Sequence, residues 1–384
     1  MNSLNVLNKD ARDVVQLSEE QSMLREAAQR FCKEQSDAER ARVLIKAEQG
    51  YDGNVWEQIA DMGWLGVTVP SEYGGADLSV AELVPVLEEM GRSIMHSPLQ
   101  AVAMATQALT SAGTAEQKST WLPRIVEGSV VTVGLNDANH WNFSKPVCKA
   151  SRVGDQLQLS GKKTFVRDAD TADAIIATVQ LNGSAALVLI PREAINEDAI
   201  ERQQTIDEVV RCFRVNLDEV SIPVENVLDE GDSTVAIQTV SAVGALLLSA
   251  EMTGGMAAAL DLIVDYALTR KTFGKYIGSY QGIKHPTADI LCDYEHARAL
   301  LYGAAHEASK DLLSYDTEIL IRMLKAWVGD KYSYAGDRAV QFHGGIGFTY
   351  ECNAQIFLRR AQFGQSQFGD APHHRKLLAK LLLD

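Results

Sequence analysis

The chain changes hydrophobic period twice, from helical to alternating near residue 130 and back to helical after Asp232, which restricts it to an α, then β, then α arrangement. In the first stretch Ser18 and Gln21 spell a capping box. Leu24, Ala27, Ala28 and Phe31 follow at the i, i+3, i+4, i+7 spacing of an amphipathic helix. Ser79 and Glu82 repeat the device ahead of Leu83, Val86, Leu87 and Met90, with Gly91 placed as a C-cap. Pro70, Gly74 and Gly75 break the chain between these helices. From about Val130 to Leu228 the texture is VVTVGL, QLQLS, AIIATVQ, ALVLIP and CFRVNL, punctuated by Gly, Asp, Asn and Pro, which predicts an antiparallel β domain. Beyond it, helical patterns around 234–269, 279–312 and 316–341 and shorter ones to Leu383 predict a bundle. The near-uniform apolar stretch Val240–Leu260 predicts a helix buried on most sides, suited to packing against another subunit as well. The expected organisation is an α+β fold: a helical domain over 1–129, an antiparallel β domain over 130–231 and a C-terminal four-helix bundle over 232–384.

Composition narrows the function classes. With 384 residues, 46% of them apolar and 23% charged, the chain can bury the large cores of two or three domains. No uninterrupted apolar run approaches the ~20 residues of a membrane span, and Met1 to Gln16 lack the apolar region of a signal peptide, so a cytoplasmic location is expected. A net charge of −15 argues against nucleic acid as a partner. Cys32, Cys148, Cys212, Cys292 and Cys352 are odd in number and without C-x-x-C pairs, which predicts buried free thiols and neither a disulfide framework nor a metal site.

Motifs along nearly the whole chain resemble the acyl-CoA dehydrogenase family. WEQIADMGWLGVTVPSEYGG at 56–75 is similar to the family's W…G-W/L-G…VP-x-E-Y-GG passage, and GTAEQKSTWLPRIVEGS at 113–129 to its G-x-x-E-Q-K…LP…GE segment. More specific are RKTFGKYIGSYQ at 270–281, matching R-x-x-FG-x-x-I-x-x-x-Q, and QFHGGIGFTYE at 341–351, matching Q-x-x-GG-x-G. The resemblance implies that Arg270, Thr272, Phe273, Gln281, Gln341, Gly344 and Gly345 reach across a subunit interface to FAD bound chiefly by a neighbour. The residue types suit that task. Arg270 offers a forked donor to a pyrophosphate, Thr272 a neutral hydrogen bond, Phe273 a flat wall and Gln281 an amide for adenine or ribose. The glycine pair lets backbone amides approach an anion. The plainer readings are that Arg270 sits favourably at the negative end of a helix and that the glycines terminate another.

The family dehydrogenates an acyl-CoA thioester between its α and β carbons, a carboxylate taking the α proton while hydride leaves for the flavin. Here the usual position of that Glu falls on Phe368, and the minority position falls on Gly244. Glu251, two turns on, reads as a packed or interface carboxylate, and Asp370 is the one substitute base near the lost Glu, with an N-cap for a helix opening at Ala371–Pro372 as its alternative role. The residues expected around the flavin ring are altered too. GLNDANHWNFS at 134–144 keeps only Asn136 and Asp137 for the pyrimidine edge. Where the family has W-I-T-N stand Phe165, which can still stack, then Val166, Arg167 and Asp168, with Arg167 in place of a small hydroxyl.

This asymmetry resembles the family's α2β2 assemblies of unlike subunits, one flavin per heterodimer, similar to those that oxidise bulky steroid side-chain thioesters. FGD at 368–370 and QGIKHPTADI at 281–290 look like that branch, which also contains chains active alone. The expected partners are an acyl-CoA substrate, a sibling subunit in a heterotetramer or a second copy in a homotetramer, and an electron-transfer flavoprotein. The alternatives are an autonomous enzyme using Asp370, a flavin monooxygenase on the same fold, and a scaffold without cofactor. His373 and His374 are expected at the surface, and His285 and His296 on one helix face.

Overall fold

A computed structural model describes residues 15, 17–137, 140–229 and 232–383; apart from Val15, the segment Met1 to Gln16 lies outside the described residues. Helices α1 (Glu19–Gln35), α2 (Ala38–Lys46), α3 (Gly53–Asp61), α4 (Val84–Arg92), α5 (Leu99–Ala112) and α6 (Ala115–Val126) come first. The Ser18–Gln21 box closes as read, and Thr114 with Gln117 forms a second at α6. Phe31 meets Trp64 edge-on at 5.4 Å, so the stripe of α1 faces the core. Ser79 caps through Ala81 N–H, but Glu82 turns to the Ser79 hydroxyl, and the segment opens as a 3-10 turn, Val80–Leu83, before α4. Gly91 is not a C-cap. It lies inside α4 at a helix crossing described below.

The strands are β1 (Val131–Gly134), β2 (Lys149–Val153), β3 (Gln156–Ser160), β4 (Lys162–Arg167), β5 (Ala174–Leu181), β6 (Ser184–Pro191), β7 (Ile200–Gln203), β8 (Cys212–Asn216), β9 (Ser221–Pro223) and β10 (Val227–Leu228). A seven-stranded sheet runs β10-β6-β5-β2-β3-β9 with β1 also on β5, and β4-β8-β7 form a second sheet. Most pairs are antiparallel, but β1 and β2 each run parallel to β5, at its two ends. The reason β5 reads as one apolar run is its burial on both faces. Ala174 and Ile176 join the core of the N-terminal helices, while Ile175, Ala177 and Val179 join the core between the sheets.

After the sheets come α7 (Ser233–Thr269), the small hairpin β11 (Lys271–Thr272) and β12 (Lys275–Tyr276), then α8 (Gln281–Lys310), α9 (Tyr315–His343), α10 (Ala354–Ser366) and α11 (Ala371–Leu383). At 37 residues α7 is long and apolar enough to cross a bilayer by length and composition, which counting uninterrupted apolar runs overlooks because Glu251 interrupts the stretch. Its most apolar window is 67% buried inside the protein. Where α4 crosses α7 the backbones touch: a Cβ on Gly91 would lie 1.9 Å from Glu251 O, and one on Gly254 1.7 Å from Glu88 O. Only glycine permits that approach. Four cysteines are buried free thiols, but Cys292 is exposed.

Candidate active site

The loop between α10 and α11 carries Phe368, held at φ +55, a left-handed conformation in which a bulky residue costs about 1–3 kcal/mol. Its surroundings hold it there. Lys325 of α9 is fully buried and donates to Gly369 O at 3.0 Å and Gln365 O at 3.3 Å. Burial pulls its pKa down to about 7 against the opposing pull of Asp370 and Asp330. The Phe368 ring packs at the seam where the N-terminal and C-terminal cores meet, edge-on to Phe143 at 6.2 Å. It also fills the space beside Gly244 on α7, where an added Cβ would lie 2.5 Å from ring atoms Cε1 and Cζ. The two positions that the sequence aligns with a catalytic carboxylate are thus one place, and it is occupied by a phenyl ring.

The candidate carboxylates are engaged elsewhere. Asp370 Oδ1 accepts the His373 N–H at 2.9 Å and so caps α11; it is not among the residues lining the adjacent cleft. Glu251 is buried and pairs with Arg360, which also holds Asp207, both with hydrogen-bonded contact. Burial of a charge chain of this kind requires that every member stay paired.

That cleft, about 400 Å³, opens on the other side of Phe368. Ile237, Ala242, Ala245 and Phe143 give it apolar walls, and Glu318 and Arg322, paired to each other at 2.6 Å, stand among its polar groups. His373 and His374 line it as well, contrary to the surface placement expected for them. His374 is only 3% exposed, while His373 lies against Trp141 at 5.1 Å. The signal was present in the sequence. His374 precedes Leu377 and Leu378 by three and four residues, which places it on the apolar face of α11.

On the sheet side, β4 slips register against β8 between Lys163 and Val166, and Phe165 at the slip takes φ +54. Its N–H donates to Gln203 Oε1 at 2.6 Å and its ring is 40% exposed. Arg167 points inward: it donates to Gln100 Oε1, lies 3.9 Å from Glu251 and sits over the Phe363 ring at 5.6 Å. Gln100 in turn donates to Gly244 O at 3.0 Å. Between Gln100, Asn136, Phe165, Arg167 and Phe368 remains a slot of about 30 Å³, room for one or two waters. A planar three-ring flavin does not fit there with Arg167 in place. Asp137, expected at the pyrimidine edge, is instead turned inward, pairing with Lys163 at 2.8 Å and accepting the Val147 and Cys148 N–H groups. Those donors and Lys163 outweigh desolvation, and its carboxyl titrates below the usual range. Sequence spacing could not show that the Lys163 side chain would reach it.

Arg270, Thr272, Phe273, Gln281, Gln341, Gly344 and Gly345 are all exposed, in contrast to that closed slot. Phe273 at φ +52 and Gly274 at φ +77 make the two-residue turn of the hairpin, which lifts the Phe273 ring to 92% exposure. Tyr266 stacks on His343 at 4.2 Å, joining the root of the hairpin to the Gly344–Gly345 turn. Among the described residues, the side chains of Arg270, Thr272 and Gln281 make no intramolecular hydrogen bond. Phe348, Ile346, Tyr276 and Tyr280 add exposed apolar surface. Free forked and amide donors amid exposed aromatics suit a nucleotide held against another chain. Among the described residues no group of three His, Cys, Asp or Glu is placed to hold a metal ion.

The profile of the acyl-CoA dehydrogenase N-terminal domain matches residues 18–129, and that of the acyl-CoA dehydrogenase C-terminal domain matches residues 234–383. The chain belongs to the acyl-CoA dehydrogenase family. Members of this acyl-CoA dehydrogenase family are oxidoreductases, and the relatives agree. The acyl-CoA dehydrogenase IpdE2 of Mycolicibacterium smegmatis is 27% identical over 94% of this chain and 97% of its own length. A variant of the Tcur3481-Tcur3483 steroid ACAD superposes with a TM-score of 0.84 at 26% identity, covering 95% of this chain and 98% of that one. The ChsE4-ChsE5 complex from Mycobacterium tuberculosis shares the fold, with a TM-score of 0.85 at 23% identity over 96% and 98% of the two chains.

Proposed function

We propose that this chain is the subunit of a heteromeric flavin-dependent acyl-CoA dehydrogenase that carries no proton-abstracting carboxylate and completes the FAD site of a sibling chain. One observation carries the reading: Phe368 and Gly244, the two positions where the family places its base, pack against each other. A carboxylate base must stand within about 3 Å of the proton it removes. Here that volume holds a phenyl ring, and Asp370, Glu251 and Glu318 are committed to a helix cap and to arginines.

FAD bound at the sibling's site supplies the hydride acceptor for α,β-dehydrogenation. Toward it this chain contributes the Arg270 guanidinium to the pyrophosphate, Thr272 and Gln281 as neutral bonding groups, Phe273 as an apolar wall, and the Gly344–Gly345 amides beside Gln341. Its own slot beside Phe165 takes no flavin, because Arg167 fills it. The 400 Å³ cleft serves an acyl thioester that is bound without being deprotonated. The similarity to a two-chain steroid ACAD supports a bulky steroid side-chain thioester as the substrate of the assembly, with an electron-transfer flavoprotein as acceptor.

The test is to purify the chain alone and together with its sibling, recording a flavin spectrum and the FAD-to-chain ratio of each. The chain alone should be nearly colourless, and the pair yellow and active with one FAD per two unlike chains. A yellow, active homotetramer overturns the proposal.

A further inference from the structure

The Gly344–Gly345 turn stands out from the body of the chain. Gly344, Gly345 and Ile346 are exposed, so core packing does not fix where their backbone amides point. A ladder of short turns carries them instead. Gly347 N–H donates to Gly344 O at 2.9 Å, Thr349 N–H to Ile346 O at 2.9 Å and Cys352 N–H to Thr349 O at 3.2 Å. Exposed turns of this kind open easily unless their ends are held. The near end is rooted in α9, where His343 stacks on Tyr266.

The far end is held by an arginine from the N-terminal helices. Arg42 of α2 is 8% exposed and uses all three guanidinium nitrogens. Its Nε donates to Tyr350 O at 3.0 Å, and Nη2 donates to Glu351 O at 2.9 Å and to Asn353 Oδ1 at 2.8 Å. Nη1 reaches Glu39 at 2.5 Å. Serving three acceptors within four residues needs a planar fork, which an ammonium lacks. The helix that carries Arg42 is itself braced. Arg211, just ahead of β8, is 3% exposed and donates to Leu44 O at 2.9 Å and to Ala47 O and Glu48 O, at the negative end of α2. Through α2, the β domain is thus tied to the exposed turn.

We propose that Arg42 is a positioning residue for the FAD of a sibling chain, holding the Gly344–Gly345 amides in place by clamping Tyr350 to Asn353. The inference rests on the reading of that turn as part of the sibling's FAD site. It goes beyond that reading in giving a role to an N-terminal helix that neither nucleotide-binding motif contains.

The test strips flavin from the assembly of this chain with its sibling, titrates FAD back, and follows deuterium exchange in the isolated chain. Arg42→Met keeps the length of the stem and removes the donors. It should raise the FAD concentration for half saturation about tenfold, the lower end of what a hydrogen bond from a charged donor is worth. A 344–353 peptide should exchange about tenfold faster in the variant, with a 270–281 peptide unchanged. Arg42→Lys should recover little of either loss. Glu39→Gln, which removes only a partner whose side chain is 81% exposed, should stay within about twofold of wild type. Should Arg42→Met fail to fold, Asn353→Ala decides, since it takes one acceptor from the fork and should weaken FAD about threefold. Unchanged FAD affinity, unchanged exchange at 344–353, or equal loosening of both peptides, as a merely structural role would give, overturns the inference alone. A wild-type pair that takes up no FAD overturns the underlying reading together with it.

Discussion

The ring edge of Phe368 rests against the Cα of Gly244, leaving 2.5 Å for any Cβ placed there. Gly244 also faces Met104 Cε, which would lie 3.0 Å from the same Cβ. Gly244→Ala should therefore lower stability by about 1–3 kcal/mol through overpacking. Phe368→Leu should relieve part of that loss, so the double variant will be more stable than the sum of the single changes in a denaturant melt. Additive effects would show that the two positions do not meet.

Asp370 caps α11, and its substitutions should separate cap from base. Asn caps nearly as well as Asp, so Asp370→Asn should melt within about 0.5 kcal/mol of wild type, whereas Asp370→Ala should lose about 1 kcal/mol. Steady-state turnover of the assembly with its sibling should be near normal for Asp370→Asn. Abolished turnover with unchanged folding would make Asp370 the base.

Arg270 is exposed and makes no intramolecular hydrogen bond among the described residues, so Arg270→Ala should leave the melt of the isolated chain within about 0.5 kcal/mol of wild type. In the assembly it should weaken FAD retention about tenfold, measured by flavin content after dilution and gel filtration. Arg270→Lys should restore little of that loss, since an ammonium lacks the planar fork.

Lys325 should leave a signature in the pH dependence of stability. Its pKa is about 7 in the folded chain and near the ordinary 10.5 when unfolded. Between those values the unfolded state holds a proton that the folded state lacks, so the Lys325 contribution rises with pH across that window and its cost is complete below about 7. The stability difference between wild type and Lys325→Met should therefore move in favour of wild type from pH 7 to pH 10, by up to about 1.4 kcal/mol per unit. Parallel melts at pH 7, 8 and 9 measure it, and a flat difference would contradict the burial argument.

Elements whose cause is local were legible before any coordinate. The Ser18–Gln21 box, the stripe ending at Phe31, the strands and the three long helices follow from period, capping and breakers, which act over a few residues. Errors arose where a partner distant in sequence decided the outcome. Gly91 has the look of a helix terminator, yet its role is set by Glu251 O, 160 residues away in a crossing that no window of sequence contains. Asp137 looked free until Lys163 was found against it. Arg167 stands where the family has a small hydroxyl, as its residue type shows, while its partners Gln100 and Glu251 lie far off in sequence.

By itself the sequence determined the order of the three regions, the match to the family's motifs at 270–281 and 341–347 and the absence of a carboxylate at positions 368 and 244, because each is a property of residue type and spacing. Only the tertiary structure decided that these two positions are a single filled volume, that Asp370 and Glu251 are engaged elsewhere, and that His374 is buried. Which polar groups meet and which are left unmet depends on packing between elements far apart in the chain, and packing is decided when the helices and sheets come together.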